Sequence, residues 1–100
     1  MGLDATLEDE FGEELDSFTD EGGLLAGAWP AGDPGYPILR FVDAEGTTVF
    51  NRGQLAAALP EFEAFARAAP PELKAAAALL LKFARRASSE PHLYLRFLGD

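Results

Sequence analysis

Cysteine is absent from this 100-residue chain, histidine occurs once, and no Lys or Arg appears before residue 40. Without Cys there is no disulfide framework, no thiolate metal site and no Cys nucleophile. One His and no Cys leave no ligand set for a structural zinc ion. The longest apolar run, residues 75–81, is seven residues, far short of the ~20 that a membrane span requires. The N-terminus has no basic segment followed by an apolar one, so no secretory signal is visible. These absences predict a cytoplasmic protein. The opening Met1-Gly2-Leu3-Asp4-Ala5-Thr6 fits the myristoylation pattern. The acidic sequence beside it lacks the basic second signal that stable anchoring needs, so no membrane partner is expected.

What is present is acid. The first 39 residues carry ten carboxylates and no cation, a balance of −10. The remainder has seven carboxylates and eight cations, or +1, which together give the net charge of −9. Such a chain repels nucleic acid and steers a cationic partner toward its first half. Length and a 48% apolar content set one domain with one core, spanning residues 1–100.

Leu3, Ala5 and Leu7 alternate with polar residues, the period of a half-buried strand. Asp9-Glu10-Phe11-Gly12 then reads as a four-residue hairpin loop ending in a left-handed Gly. Thr19 and Asp20 are candidate caps for a short helix through Ala26. Residues 29–37 form a Pro/Gly loop. Residues 38–42 read as a strand, with Leu39 and Phe41 on one face and Ile38, Arg40 and Val42 on the other. Asp43-Ala44-Glu45-Gly46 repeats the earlier Asp-x-x-Gly spacing and predicts a second hairpin, with Gly46 at positive φ.

Asn51 and Gln54 have capping-box spacing. Leu55, Leu59, Phe62 and Ala66 follow on one helical stripe, with a kink or break expected at Pro60. Pro71 suits the start of a last helix, whose inward side is Leu73, Ala76, Ala77, Leu80, Phe83, Ala84 and Ala87. Lys74, Ala78, Lys82, Arg85 and Arg86 form its outward side. Residues 92–98 alternate again, with Leu93, Leu95 and Phe97 opposite His92, Tyr94, Arg96 and Leu98. The predicted order is β-β-(short α)-β-β-α-α-β. This is an α+β two-layer sandwich: a mainly antiparallel sheet of about five strands with a helical hairpin on one face.

No catalytic constellation emerges. Residues 16–22 place Phe18 where a calcium loop needs an oxygen. Ser17, Ser88 and Ser89 lack the nucleophile-elbow context that a triad with His92 would require. Gly22-Gly23 and Gly27 make neither a dinucleotide nor a P-loop motif. No cofactor is therefore expected. The suggestive feature is the sheet face away from the helices. It would carry Ile38, Arg40, Val42, His92, Tyr94, Arg96 and Leu98, and mixed Tyr, Arg and aliphatic groups are enriched at interface centres. The competing arrangement folds the N-terminal hairpin, the short helix and Trp29 over that face. Trp29 and Tyr36, in the Pro/Gly loop, are further candidate anchors for a partner.

Tyr36-Pro37-Ile38-Leu39-Arg40-Phe41-Val42-Asp43, Gly46-Thr47-Thr48-Val49-Phe50-Asn51 and residues 90–100 (EPHLYLRFLGD) carry a resemblance. Over about a third of its length the chain resembles a family of small uncharacterised bacterial proteins. The resemblance implies a bacterial cytoplasmic origin and no particular activity. Three functions fit. The leading one is a non-enzymatic protein-binding module of the immunity, inhibitor or adaptor type. Its partner-binding residues would be Trp29, Tyr36, Arg40, His92, Tyr94 and Arg96, and its partner a basic protein. The second is a small ligand-binding protein or hydrolase with a site near Asp43, Asn51 and His92, drawing on Arg40, Arg52 and Arg96. The third is a homodimer joined through the open face.

Overall fold

A computed structural model describes residues 2–100. Four strands, β1 (Leu3–Asp9), β2 (Glu14–Phe18), β3 (Thr47–Phe50) and β4 (Leu93–Gly99), form one antiparallel sheet in the order β2-β1-β4-β3. The described residues also form three α-helices, α1 (Leu24–Ala28), α2 (Arg52–Ala68) and α3 (Lys74–Ser89), and three short 3-10 turns. The α+β class and the helical hairpin are as expected; the sheet has four strands rather than about five.

The β1–β2 hairpin forms as its sequence predicts. Asp9 Oδ1 accepts from the amides of Phe11 and Glu13, both at 2.9 Å, and Gly12 takes φ 80°. β1 and β4 pair over their full lengths, from Leu3 opposite Gly99 to Asp9 opposite Leu93. Their alternation buries Leu3, Ala5, Leu7, Leu93, Leu95 and Phe97 on one face. The α2–α3 hairpin covers that face with Leu55, Phe62, Phe65, Leu80 and Phe83.

The Asn51–Gln54 capping box is complete, with both reciprocal bonds at 2.9 Å. Asn51→Ala should therefore lower the unfolding free energy by about 1 kcal/mol, measured by urea denaturation; a neutral change would contradict the cap. Of the kink or break expected at Pro60, the break does not occur, and α2 runs through it. Pro60 and Ala56 are both exposed, so water can solvate the carbonyl that Pro60 leaves unbonded. Glu61, Phe62 and Phe65, just beyond, hold the helix to the core. At its C-terminus, Lys74 Nζ donates to the carbonyls of Ala66 and Arg67 at 3.0 and 2.9 Å. A cation there satisfies orphan carbonyls and opposes the negative helix end.

Residues 38–42 are not a strand. Leu39–Phe41 form a 3-10 turn, with Leu39 and Val42 buried and Phe41 68% exposed. Long-range side chains take up the backbone groups that a ladder would have used. Glu61 Oε1 accepts from the amides of Ile38 and Leu39 at 2.9 Å, and Trp29 Nε1 donates to the Leu39 carbonyl at 2.8 Å. With no strand before it, Asp43-Ala44-Glu45-Gly46 is a turn leading into β3 rather than a hairpin. Gly46 is not among the positive-φ glycines. Close approach matters instead at Gly99, where a Cβ would lie 2.2 Å from the Ala44 carbonyl oxygen.

Asp20 caps α1 from outside the helix. Its carboxylate, in a residue only 7% exposed, accepts from the amides of Leu25 (2.9 Å), Ala26 (2.9 Å) and Leu3 (3.0 Å). Gly22 and Gly23, at φ 79° and 71°, turn the chain so that this reach closes. One side chain thus ties the first strand to the first helix.

Candidate functional site: the uncovered sheet face

The residues of β1, β3 and β4 that alternate with the core residues point away from the helices. Register brings them together in rows. Thr6 lies opposite Arg96 and Glu8 opposite Tyr94, while Val49 flanks Arg96 and Thr47 flanks Leu98 on the other side. Arg96 Nε donates to Glu8 Oε2 at 2.9 Å, and the Thr6 hydroxyl donates to the same oxygen at 3.0 Å. A fixed polar centre is thereby flanked by Tyr94, Val49 and Leu98. Val49 and Leu98 are exposed large apolar residues.

The arrangement that would have closed this face does not occur. The N-terminal hairpin extends the sheet sideways instead of folding across it. Trp29 packs on the helical side, with ring centroids 5.3 Å from Phe65 and 5.2 Å from Phe97. Every outward residue named here is half-buried or exposed.

The sequence-predicted site residues separate into groups. Tyr94 and Arg96 share the open face. His92 stands at its end, exposed, at φ 63°, with Nδ1 3.3 Å from Glu10 Oε2. Trp29 is buried in the core, which removes it from the candidate anchors. Tyr36 is half-buried and lines a shallow depression with Pro30, Phe65 and Pro70. Arg40, no longer a strand residue, lies 4.7 Å over the Phe41 ring, with its Nε enclosed and without a hydrogen-bond partner.

The grouping of Asp43, Asn51 and His92 around one site fails. The backbone of Asp43 and Ala44 abuts Gly99, whereas His92 precedes the other end of β4. Six residue steps along β4 alone put these ends roughly 20 Å apart. Asn51 is engaged in its cap, and the hydroxyls of Ser88 and Ser89 donate back to the carbonyls of Arg85 and Arg86. Among the described residues, no group of three His, Asp or Glu could hold a metal ion, and no helix is long and apolar enough to cross a membrane.

Two exposed apolar features escaped the sequence reading. Phe41 opens onto a groove of about 520 Å³ lined also by Pro37, Ile38, Phe50 and Ala57. It escaped because a strand reading turns Phe41 inward. Phe11, at the tip of the first hairpin, is 86% exposed. Its signal was available, since the second-to-last position of a four-residue hairpin loop cannot reach the core. The contributions of Thr6, Glu8 and Val49 to the face depend on strand register, which has no local sequence signature. No family model, no curated protein and no solved structure matches the chain.

Proposed function

We propose that this chain is a non-catalytic protein-binding domain, of the kind that serves as an immunity, inhibitor or adaptor protein, and that it docks through the uncovered sheet face onto a basic protein. The observation that carries the reading is a solvent-facing sheet surface with apolar and aromatic groups around a charged pair. A sheet face that only meets water is ordinarily polar. Here Tyr94, Val49 and Leu98 supply contact area, and the Glu8–Arg96 pair is already ordered before a partner arrives. Preorganisation of that kind lowers the cost of binding.

The charge distribution supplies the partner's sign. With −10 in residues 1–39, the chain attracts a cationic surface over several ångströms and raises its association rate. The resemblance of residues 36–55 and 90–100 to small bacterial proteins supports a bacterial cytoplasmic setting for this reading.

The test uses the partner isolated by affinity chromatography from the source cells. Tyr94→Ala combined with Leu98→Ser should weaken its binding by about 10- to 100-fold, since interface anchors are concentrated in such residues. High salt should slow association while leaving dissociation little changed. Affinity indifferent to both the substitutions and the salt would overturn the reading.

A further inference from the structure

From the geometry of the first hairpin we infer that its tip is a second, preformed anchor: Phe11 inserts into an apolar pocket on the protein partner, and the pocket is rimmed by Lys or Arg. This inference rests on the protein-binding reading above and assigns it a specific contact.

Phe11 differs from the other aromatic residues of the chain. Trp29, Phe50, Phe62, Phe65, Phe83 and Phe97 are buried, and Phe41, though exposed, lies beneath the Arg40 guanidinium and borders a groove. Phe11 is the most exposed large apolar residue described and has no aromatic or cation partner. Its backbone is fixed all the same. Its own amide donates to Asp9 Oδ1, the Gly12 amide donates to the Asp9 carbonyl at 3.1 Å, and Asp9 N donates to the Glu13 carbonyl at 3.0 Å. The ring is thus presented on a rigid loop, and little backbone entropy remains to be lost on docking.

The surroundings specify the partner's chemistry. Glu13 and Glu14 are exposed and carry no ion pair, Glu10 faces only the single His, and Leu15 adds a second exposed apolar group. An exposed aromatic ring on a loop flanked in sequence by the unpaired carboxylates of Glu13 and Glu14 complements an apolar pocket with a basic rim. It is mismatched to an anionic membrane, to nucleic acid and to a second copy of the same tip.

The experiment replaces single residues of the full chain by p-benzoylphenylalanine at position 11, at positions 49 and 94 on the sheet face, and at exposed Ala78 on α3 as background. Irradiation in cells of the source organism is followed by mass-spectrometric mapping of the attachment site. Position 11 should give an adduct with one protein, attached among apolar residues bordered by Lys or Arg. With that protein purified, Phe11→Ala should weaken binding by about 30-fold or more, as expected of an aromatic anchor. Glu13→Gln with Glu14→Gln should slow association and flatten its salt dependence. Because Phe11, Glu13 and Glu14 are exposed, these variants keep the fold, which circular dichroism verifies. Adducts from positions 49 or 94 but none from position 11 above background would overturn the tip and leave the sheet face standing. Attachment to an uncharged or acidic surface, or binding unaffected by Phe11→Ala, would also overturn it. No adduct from any of the three positions would bring down both.

Discussion

Asp20→Ala should destabilise the chain by about 4 kcal/mol, because it strips two buried amides and one half-buried amide of a charged acceptor. The buried amides of Leu3 and Leu25 would then lie inside the protein without their partner, and the half-buried amide of Ala26 would lose its own; each buried loss costs on the order of 1–3 kcal/mol. Asp20→Asn should recover only part of this. Both carboxylate oxygens are in use, Oδ1 by Leu25 and Oδ2 by Leu3 and Ala26, and an amide oxygen placed at the Oδ2 position keeps two bonds but turns the NH2 toward the Leu25 amide. Urea denaturation of the three proteins checks this. A wild-type midpoint for the Asn variant would show that one oxygen suffices and that the described double use of the carboxylate is wrong.

The second large effect falls at Glu61, and its pattern is opposite. Glu61→Ala should cost about 3 kcal/mol, since two amides of the Ile38–Leu39 segment lose their acceptor and a cavity replaces the side chain. Glu61 is 8% exposed, yet only its Oε1 accepts, from Ile38 and Leu39. Glu61→Gln can present that same oxygen and should lie within about 1 kcal/mol of wild type. The alanine variant should also release the 3-10 turn, seen as faster hydrogen exchange at Arg40, Phe41 and Val42. Equal losses for Gln and Ala would mean that the negative charge, not the acceptor geometry, holds the turn.

These two carboxylates also mark the limit of what could be read from the sequence. Strands at Leu3–Asp9 and Leu93–Gly99 were legible because their alternation is strict and each belongs to a half-buried sheet. The helices were legible because apolar stripes and the Asn51 cap are local signals. Residues 38–42 alternate as convincingly, but their backbone groups are claimed by Glu61, 22 residues from Leu39, and by Trp29, 10 residues away. No local pattern announces such a partner, so a strand was expected where a 3-10 turn formed. Arg40 then went to the wrong surface, and Phe41 was turned inward when it points out.

The candidate site was half legible for the same reason. Alternation within one strand was enough to put Tyr94, Arg96 and Leu98 together. Pairing Arg96 with Glu8 required knowing that β1 and β4 are neighbours in a particular register, although 88 residues separate the two side chains. Trp29 was read as an anchor from its Pro/Gly setting. Its indole instead fills the space between α2 and the sheet, where a large ring with one buried N–H partner is well accommodated. His92 was placed in the last strand; the structure puts it one residue earlier, in a left-handed turn beside the acidic hairpin.

Carbene footprinting of the whole chain, alone and with its bound protein partner, is the most direct trial of the exposed-surface account. In the free chain, Val49, Tyr94 and Leu98 should be labelled while Leu95 and Phe97, on the opposite side of the sheet, are protected. On binding, labelling of Val49, Tyr94 and Leu98 should fall several-fold, and that of Ala78 on α3 should not change. Protection of Val49, Tyr94 and Leu98 in the free chain, or full labelling of all three in the complex, would contradict it.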